Sequence, residues 1–277
     1  MATPALRALR TRFPGRRIAV MAKRNGLTLL DGLASFDEGL EQRKGLWDNV
    51  RAIRAFRPNL AVLLPNSHSS ALAAFLALVP HRLGYDLNAR GLMLTMALRP
   101  RMDRHRRVPM PMTAYYLDLV ARLGAAADDD RVELAATDEG RERAEAWLAE
   151  RGVGPDERFV GVAPGASFGP SKLWPAERYA TVADALIERR GTQIIINAAP
   201  NERPVAATVA EAMRHAPALN FAERNNSIGL LKGLMRRADL LITNDTGARH
   251  FAAAMGIGVV TIFGSTDPTW RSTRARF

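Results

Sequence analysis

The sequence predicts an α/β protein with two lobes, each built around a doubly wound parallel sheet. Short apolar runs rich in β-branched residues alternate with segments of helical periodicity along most of the chain. Parallel strands covered on both faces by crossover helices give this alternation. The chain has 277 residues, more than the roughly 100–200 of a typical domain. A Gly-Val-Gly-Pro segment at 152–155 marks the predicted boundary between lobes 1–153 and 154–277.

In the first lobe, Thr3 followed by Pro4 predicts a helix start, because Thr caps a helix and Pro fits its first turn. The residues between 99 and 107 are rich in arginine and are predicted to form an exposed basic loop. Strands are predicted over residues 17–22, 59–64 and 82–85, and further helices over 46–56, 67–78, 113–123 and 137–150.

In the second lobe the alternation is clearer and implies a Rossmann-like sheet. Strands are predicted over residues 158–163, 193–197, 239–243 and 259–263, and helices over 175–190, 202–214, 227–237 and 246–255.

The composition narrows the classes of protein. Cysteine is absent, which excludes disulfides, thiolate metal sites and cysteine catalysis and favours a reducing compartment. Residues 58–81 lack Lys, Arg, Asp and Glu, but the polar residues at 65–70 interrupt them, so no membrane span is predicted. Arg7, Arg10 and Arg12 interrupt the apolar residues of 1–15, so no signal peptide is predicted either, and a cytoplasmic location is expected. The net charge is +11, and residues 1–127 carry 20 basic and 8 acidic side chains. We therefore expect the first lobe to meet an anionic partner, although a solvated charged surface is an equal alternative.

The second lobe offers an anion site where the strand at 239–243 ends. Parallel sheets bind ligands beyond the carboxyl ends of their strands, where helix N-termini present free N–H groups. Asp245 or Thr246 can cap the next helix, Gly247 allows close approach of a phosphate, and His250 lies one turn further on the same face. The alternative is a strand-to-helix turn with a good cap. An Asp-Thr-Gly triplet also occurs in aspartic proteases, but those are all-β proteins.

Two further segments follow strands of the same sheet. The loop at 164–175 contains Gly165 and the single cation Lys172, a point charge suited to a diphosphate. Glu202 opens the next helix, where an acid accepts hydrogen bonds from ribose hydroxyls in nucleotide-binding lobes. A solvated lysine and an acid that complements the helix dipole are the respective alternatives.

These motifs together identify a resemblance. The segments PGASFGPSKLWPAERYA, AAPNE and LLITNDTGARHFAAAMGIGVVTIFGSTDP, with the opening ATPALRALRTRFPGRRIAVMA, resemble the lipopolysaccharide heptosyltransferases of glycosyltransferase family 9, most of all its heptosyltransferase II group. The resemblance implies a GT-B architecture, with two Rossmann-like lobes facing a cleft. It also implies inverting transfer of heptose from ADP-L-glycero-D-manno-heptose to the anionic lipid A inner core.

The family implies no cofactor and no bound metal. Nucleic acid is not among its implied partners, and only transient contact with the inner face of the inner membrane is expected. The N-terminal lobe would receive the acceptor and the C-terminal lobe the nucleotide sugar.

The resemblance gives roles to the nucleotide-sugar residues, while the acceptor contacts are predicted from the basic charge of the first lobe. Lys172 would neutralise the ADP leaving group, and with Asp245 it makes up the predicted catalytic pair. The predicted nucleotide-sugar contacts are Gly165, Ser167, Lys172, Glu202, Asp245, Thr246, Gly247 and His250, and the predicted acceptor contacts are Arg99, Arg101, Arg104, Arg106 and Arg107.

The sequence departs from the family at its ends. The family's catalytic base is an aspartate in the turn after the first strand, a position that would precede Met1. We therefore expect a chain without the first strand and the closing helices, impaired or inactive in turnover. Two alternatives stay open: a non-catalytic remnant that binds nucleotide or anionic lipid, and a family 9 transferase for another nucleotide sugar. A dinucleotide oxidoreductase is not favoured because no G-x-G-x-x-G turn occurs.

Overall fold

The computed structural model describes residues 1–103, 106–108, 110–165 and 172–264. Within them the chain divides into two compact units. The first comprises Met1–Leu27 and Ala34–Val132, and the second comprises Thr28–Leu33 and the described part of Glu133–Phe277. The division thus falls earlier in the chain than the predicted boundary at 153/154. The roles assigned to the two lobes stay predictions.

The first unit contains two parallel sheets and an antiparallel hairpin. One sheet pairs β1 with β2, the other has the order β3-β4-β5, and the hairpin pairs β6 with β7. Its strands are β1 (Ala19–Ala22), β2 (Glu38–Glu41), β3 (Leu60–Leu63), β4 (His81–Tyr85), β5 (Met96–Leu98), β6 (Met102–Asp103) and β7 (Arg106–Arg107). Its helices are α1 (Thr3–Arg12), α2 (Arg24–Leu30, whose last residues are grouped with the second unit), α3 (Leu46–Phe56), α4 (His68–Leu76) and α5 (Met112–Ala121).

A buried arginine fixes the carboxyl ends of β3 and β4 in the first unit. Arg90 is fully buried and donates hydrogen bonds to the carbonyl oxygen of Tyr85 and to Oδ1 of Asn66. Tyr85 stacks on Tyr115 with ring centres 4.1 Å apart. Because every polar group of such a side chain needs a partner once it is buried, this network holds the loop after β3 in one conformation.

The second unit is built on one five-stranded parallel sheet. Its strand order is β10-β9-β8-β11-β12. The strands are β8 (Phe159–Ala163), β9 (Gln193–Ile196), β10 (Leu219–Asn220), β11 (Ala238–Asn244) and β12 (Gly258–Ile262). The helices are α6 (Asp138–Glu150), α7 (Ala176–Arg190), α8 (Arg203–Ala212), α9 (Ile228–Met235) and α10 (Gly247–Met255). All five residues of β8 are buried, as expected for a central strand covered on both faces.

Helix α6 belongs to the second unit because it packs closely against α9. A Cβ built on Gly233 would collide with the carbonyl oxygen of Gly140, so the two helices meet backbone to backbone. Leu148 and Leu234 are fully buried in the same core. The predicted boundary at 153/154 places this helix in the first lobe. A contact between glycines of two helices leaves no periodic pattern in the sequence that would have indicated otherwise.

Two buried charged side chains, Lys232 and Asp184, hold connecting segments of the second unit in place by hydrogen bonds. Lys232 in α9 donates hydrogen bonds from Nζ to the carbonyl oxygens of Thr28 and Asp31, 3.1 and 2.6 Å away. Burial lowers the pKa of Lys232, and the nearby Asp31 acts in the opposite direction. Asp184 in α7 accepts hydrogen bonds from the backbone N–H groups of Arg214 and His215. The hydrogen bonds to Asp184 fix the segment between α8 and β10.

The α/β class and the parallel second-lobe sheet are confirmed, and most element ends shift by one or two residues. The sequence missed α2, β2, β5 and β10, and it predicted a loop where β6 and β7 form their hairpin. These elements are short and lack a long apolar run. In the part of the chain that the structure describes, no helix is long and apolar enough to cross a membrane.

Candidate functional site

Three segments meet at the carboxyl edge of the second-unit sheet. The turn after β11 leads into α10, the loop after β8 leads into α7, and a short 3₁₀ helix (Pro200–Glu202) follows β9. Strands β9, β8 and β11 are neighbours in this order and all parallel, so their carboxyl ends lie side by side. The segments predicted to share a ligand therefore share an edge.

The turn after β11 presents a capped helix N-terminus. Thr246 is the N-cap residue of α10, with extended backbone, and its hydroxyl accepts a hydrogen bond from the N–H of Ala248 at 3.4 Å. A Cβ built on Gly247 would meet no heavy atom of the described residues within 4 Å. The backbone at the tip of α10 is thus open to close approach, and its N–H groups suit an anion.

A buried asparagine joins this turn to both ends of the loop after β8. Asn244 donates from Nδ2 to the carbonyl oxygens of Pro164 and Gly165, at 2.7 and 3.3 Å. Its Oδ1 accepts a hydrogen bond from the N–H of Trp174 at 3.2 Å. Asn244 is fully buried. Because one side chain satisfies groups before and after Lys172, the described ends of the loop are fixed against the end of β11.

Lys172 and Asp245 form a buried ion pair. The Nζ of Lys172 lies 3.1 Å from Oδ2 of Asp245, and their side chains are 10% and 1% exposed. The other carboxylate oxygen, Oδ1, lies 3.1 Å from Nε of Arg249, whose side chain is 9% exposed. Asp245 is therefore held between two cations, as a buried carboxylate requires. The two residues predicted to be catalytic are in direct contact.

Glu202 meets the loop after β8 at Gly165. A Cβ built on Gly165 would lie within 2.6 Å of both carboxylate oxygens of Glu202, so only glycine leaves room for this carboxylate. Its Oε2 also accepts a hydrogen bond from the N–H of Ala199 at 3.1 Å. Since the carbonyl oxygen of Gly165 accepts a hydrogen bond from Asn244, Glu202 lies at the same edge as the Lys172–Asp245 pair.

The other predicted contacts are placed as follows. His250 lies in α10 and is half-buried, four residues after Thr246. Ser167 and Arg104 lie outside the described residues. In the first unit, Arg99 and Arg101 follow β5 and are exposed, and Nη2 of Arg101 lies 3.9 Å from Oδ1 of Asp118. Only the backbone of Arg106 and Arg107 is described, in β7.

The sequence did not predict two members of the site. Asn244 lies in the turn after β11, but its residue type alone does not predict that its side chain joins the segments. Arg249 was not singled out, yet its spacing of four residues from Asp245 is the spacing at which side chains meet on a helix. That spacing was the available signal for Arg249. Among the described residues, no group of three or more His, Asp or Glu side chains is arranged to hold a metal ion.

Sequence comparison identifies the family. Residues 47–274 match the model of glycosyltransferase family 9 (heptosyltransferase). The chain is 26% identical over 283 residues to lipooligosaccharide heptosyltransferase 2 of Haemophilus influenzae, a match that covers 95% of this chain and 78% of the relative.

Two solved structures have the same fold. The family 9 glycosyl transferase of Veillonella parvula superposes with a TM-score of 0.85 at 23% identity, over 96% of this chain and 77% of that one. The ADP-heptose lps heptosyltransferase II of E. coli superposes with a TM-score of 0.77 at 23% identity, over 96% of this chain and 81% of that one. The predicted GT-B fold with Rossmann-like units is confirmed by this likeness.

Proposed function

The chain belongs to glycosyltransferase family 9 (heptosyltransferase), and from this premise we propose that it transfers heptose from ADP-L-glycero-D-manno-heptose to the inner core of lipopolysaccharide. The observation that carries the proposal is the contact of Lys172 with Asp245 beside the capped tip of α10. The donor assignment is also supported by the E. coli relative, which is described as an ADP-heptose enzyme.

The second unit would bind the donor by its diphosphate. The N–H groups at the tip of α10, the hydroxyl of Thr246 and the ammonium of Lys172 provide donors and positive charge at one place. In the transfer, the bond between C1 of the heptose and the β-phosphate oxygen breaks, while a bond from C1 to the acceptor oxygen forms on the opposite face and the acceptor hydroxyl releases its proton to a base or to solvent. Negative charge therefore grows on the departing ADP, where fixed donors lower the barrier.

The remaining contacts with the nucleotide sugar are assigned from the positions of the residues at the sheet edge. Glu202 would accept hydrogen bonds from the ribose hydroxyls, since it lies at the end of β9 beside the loop that carries Lys172. Gly165 would keep the space that this carboxylate occupies. Ser167, Gly247 and His250 would complete the nucleotide-sugar contacts. No step of this donor chemistry requires a metal, because Lys172 and the helix tip supply the positive charge.

The first unit would bind the acceptor. Residues 1–127, of which all but 28–33 belong to this unit, carry 20 basic and 8 acidic side chains, which suits an acceptor bearing phosphates and acidic sugars. Arg99 and Arg101 are exposed at the carboxyl end of β5. Met102 follows Arg101 in the chain, and the N–H of Val108 donates to the carbonyl oxygen of Arg101; these two apolar residues are 56% and 38% exposed. A surface that is both cationic and apolar suits a lipid-anchored acceptor at the inner face of the inner membrane.

The proposal is tested by incubating the protein with ADP-heptose and an inner-core acceptor that lacks the heptose. The family membership supports the proposal, which expects ADP release coupled to a mass gain of one heptose on the acceptor. The rate of ADP release in the same assay tests the expectation of impaired turnover. GDP- and UDP-linked sugars serve as matched controls for the alternative of another nucleotide sugar. Binding of ADP without any transfer would favour the non-catalytic alternative, and transfer from GDP or UDP sugars alone would contradict the donor assignment.

A further inference from the structure

Three ionisable side chains are buried together at the end of β11. Lys172, Asp245 and Arg249 are 10%, 1% and 9% exposed. The two oxygens of one carboxylate face different cations, because Oδ2 lies 3.1 Å from Nζ of Lys172 and Oδ1 lies 3.1 Å from Nε of Arg249. We name these three residues the Asp245 cluster.

The Asp245 cluster carries more positive than negative charge. Its two cations and one anion sum to +1, and the N-terminus of α10 adds further positive potential at the same place. The backbone of Gly247 is exposed at the same helix tip, so a diphosphate bound there would lie close to these charges.

We propose that Arg249 is a positioning residue that keeps the charge of Lys172 available to the diphosphate of the donor. The inference rests on the proposed function. Without Arg249, Lys172 and Asp245 would form a neutral pair, and an incoming diphosphate would compete with the carboxylate for the same ammonium. With Arg249 in contact with Oδ1, the carboxylate is shared between two cations, and the ammonium of Lys172 interacts more strongly with the ligand. Arg249 acts through Asp245 and is assigned no contact with substrate.

The fold holds Arg249 in this place by two local features. Asp245 and Arg249 are separated by four residues at the start of α10, so their side chains meet on one face of the helix. The guanidinium of Arg249 also lies 5.5 Å from the ring centre of Phe263, just after β12. An aromatic ring at this distance attracts a guanidinium. The position of the cation is therefore set from the helix and from the neighbouring strand.

Calorimetric titrations of ADP and AMP at several salt concentrations test the inference. We expect Arg249→Met to weaken ADP binding about tenfold or more, to weaken AMP binding less, and to flatten the salt dependence of the ADP affinity. Arg249→Lys keeps the charge and is expected to stay within a few-fold of the wild-type affinity with an unchanged salt dependence. A purely structural role would change the melting temperature without separating ADP from AMP.

Arg237→Met is the matched control. Arg237 is also a buried arginine in an ion pair, with Glu145, but it precedes β11 and so lies at the opposite end of that strand. This variant is expected to lose stability and to keep the wild-type ADP affinity. If Arg249→Met does not fold, Arg249→Gln and Arg249→Lys decide the matter by the same salt dependence.

The outcomes separate the two proposals. A wild-type protein that binds ADP, with Arg249→Met or Arg249→Gln showing the same affinity and salt dependence, would overturn the role of Arg249 and leave the proposed function standing. A flattened salt dependence in Arg249→Lys, where the charge is kept, would also overturn it. A wild-type protein that binds no ADP would overturn the proposed function and this inference with it.

Discussion

The ammonium of Lys172 lies 3.1 Å from the carboxylate of Asp245, although 73 residues separate the two positions. The pair forms because β8 and β11 are parallel neighbours, so the segments that follow them meet at one edge of the sheet. Asn244 reinforces this meeting with hydrogen bonds to both sides of the loop that carries Lys172. The contact between Lys172 and Asp245 is therefore a direct product of sheet topology.

Removing the ammonium of Lys172 should weaken diphosphate binding. We expect Lys172→Met to raise the Kd for ADP about tenfold to a hundredfold, since a charge-assisted hydrogen bond contributes about 1.5–3 kcal/mol. Titration calorimetry with ADP and with adenosine measures the effect, and adenosine binding should change little. Equal losses for ADP and adenosine would contradict a role at the phosphates.

Adding one methyl group at Gly165 should disturb the nucleotide site. In Gly165→Ala the new Cβ would occupy the space of the Glu202 carboxylate and would displace it. We expect ADP affinity to fall by about the same factor as in Glu202→Gln, and the double variant to lose no more than either single one, because the changes act on one group. Additive losses, measured by the same titrations, would show that Gly165 and Glu202 act separately.

Replacing Asn244 should destabilise the second unit. Asn244→Leu leaves the carbonyl of Pro164 and the N–H of Trp174 without the partners they now have. Each such loss costs about 1–3 kcal/mol, and urea unfolding measures the sum. Thr243→Val is the control, because it keeps the side-chain shape and removes one hydroxyl, which donates to the carbonyl oxygens of Ala163 and Asn244 and lies 3.5 Å from the hydroxyl of Thr246. A cost no greater than that of Thr243→Val would refute the joining role of Asn244.

Stability in acid should depend on Asp184. Burial alone would raise the pKa of Asp184, but hydrogen bonds from the N–H groups of Arg214 and His215 and the charge of Arg214 outweigh it and lower the pKa below 3.8. A lowered carboxyl pKa contributes stability that is present above the unfolded value and is lost as the pH falls through the folded value.

We therefore expect Asp184→Asn to be less stable than the wild type at pH 7, and the difference to shrink below about pH 4. Urea unfolding of both proteins across this pH range provides the measurement. A difference that stays constant from pH 7 to pH 3 would show that the carboxylate charge contributes nothing.

Charge at the carboxyl end of β5 should govern acceptor binding. We expect Arg101→Gln to weaken binding of the immobilised inner-core acceptor several-fold at low salt, while ADP affinity stays unchanged. Arg51→Gln removes an equally exposed arginine from α3, since these side chains are 73% and 79% exposed. Equal losses in the two variants would indicate attraction by overall charge rather than by this surface.

The sequence predicts the second unit better than the first, and particular residues explain why. β8 and β11 are apolar runs followed by distinctive turns, so their ends could be recognised and assigned to one edge. Strand β2 is the polar segment Glu38–Glu41, whose pairing with β1 depends on tertiary context rather than on periodicity. The glycine contact that assigns α6 to the second unit is likewise invisible in the pattern.

At the candidate site, chemistry could be predicted and geometry could not. Lys172, Glu202 and Thr246 follow from residue type and position after strands. The position of the Asp245 carboxylate between Lys172 and Arg249 could not be predicted. It depends on the side-chain rotamers and on the close contact of the loop after β8 with α10. The sequence could indicate Arg249 by its spacing alone, without the burial that gives it a role.

The most direct test of the central claim is a calorimetric titration of the wild-type protein with ADP, GDP and UDP under identical conditions. If the carboxyl edge of the second unit holds an adenosine diphosphate, ADP should bind at least about tenfold more tightly than GDP or UDP, a difference of about 1.4 kcal/mol. Failure of all three nucleotides to bind, or equal affinity for the three, would contradict the account.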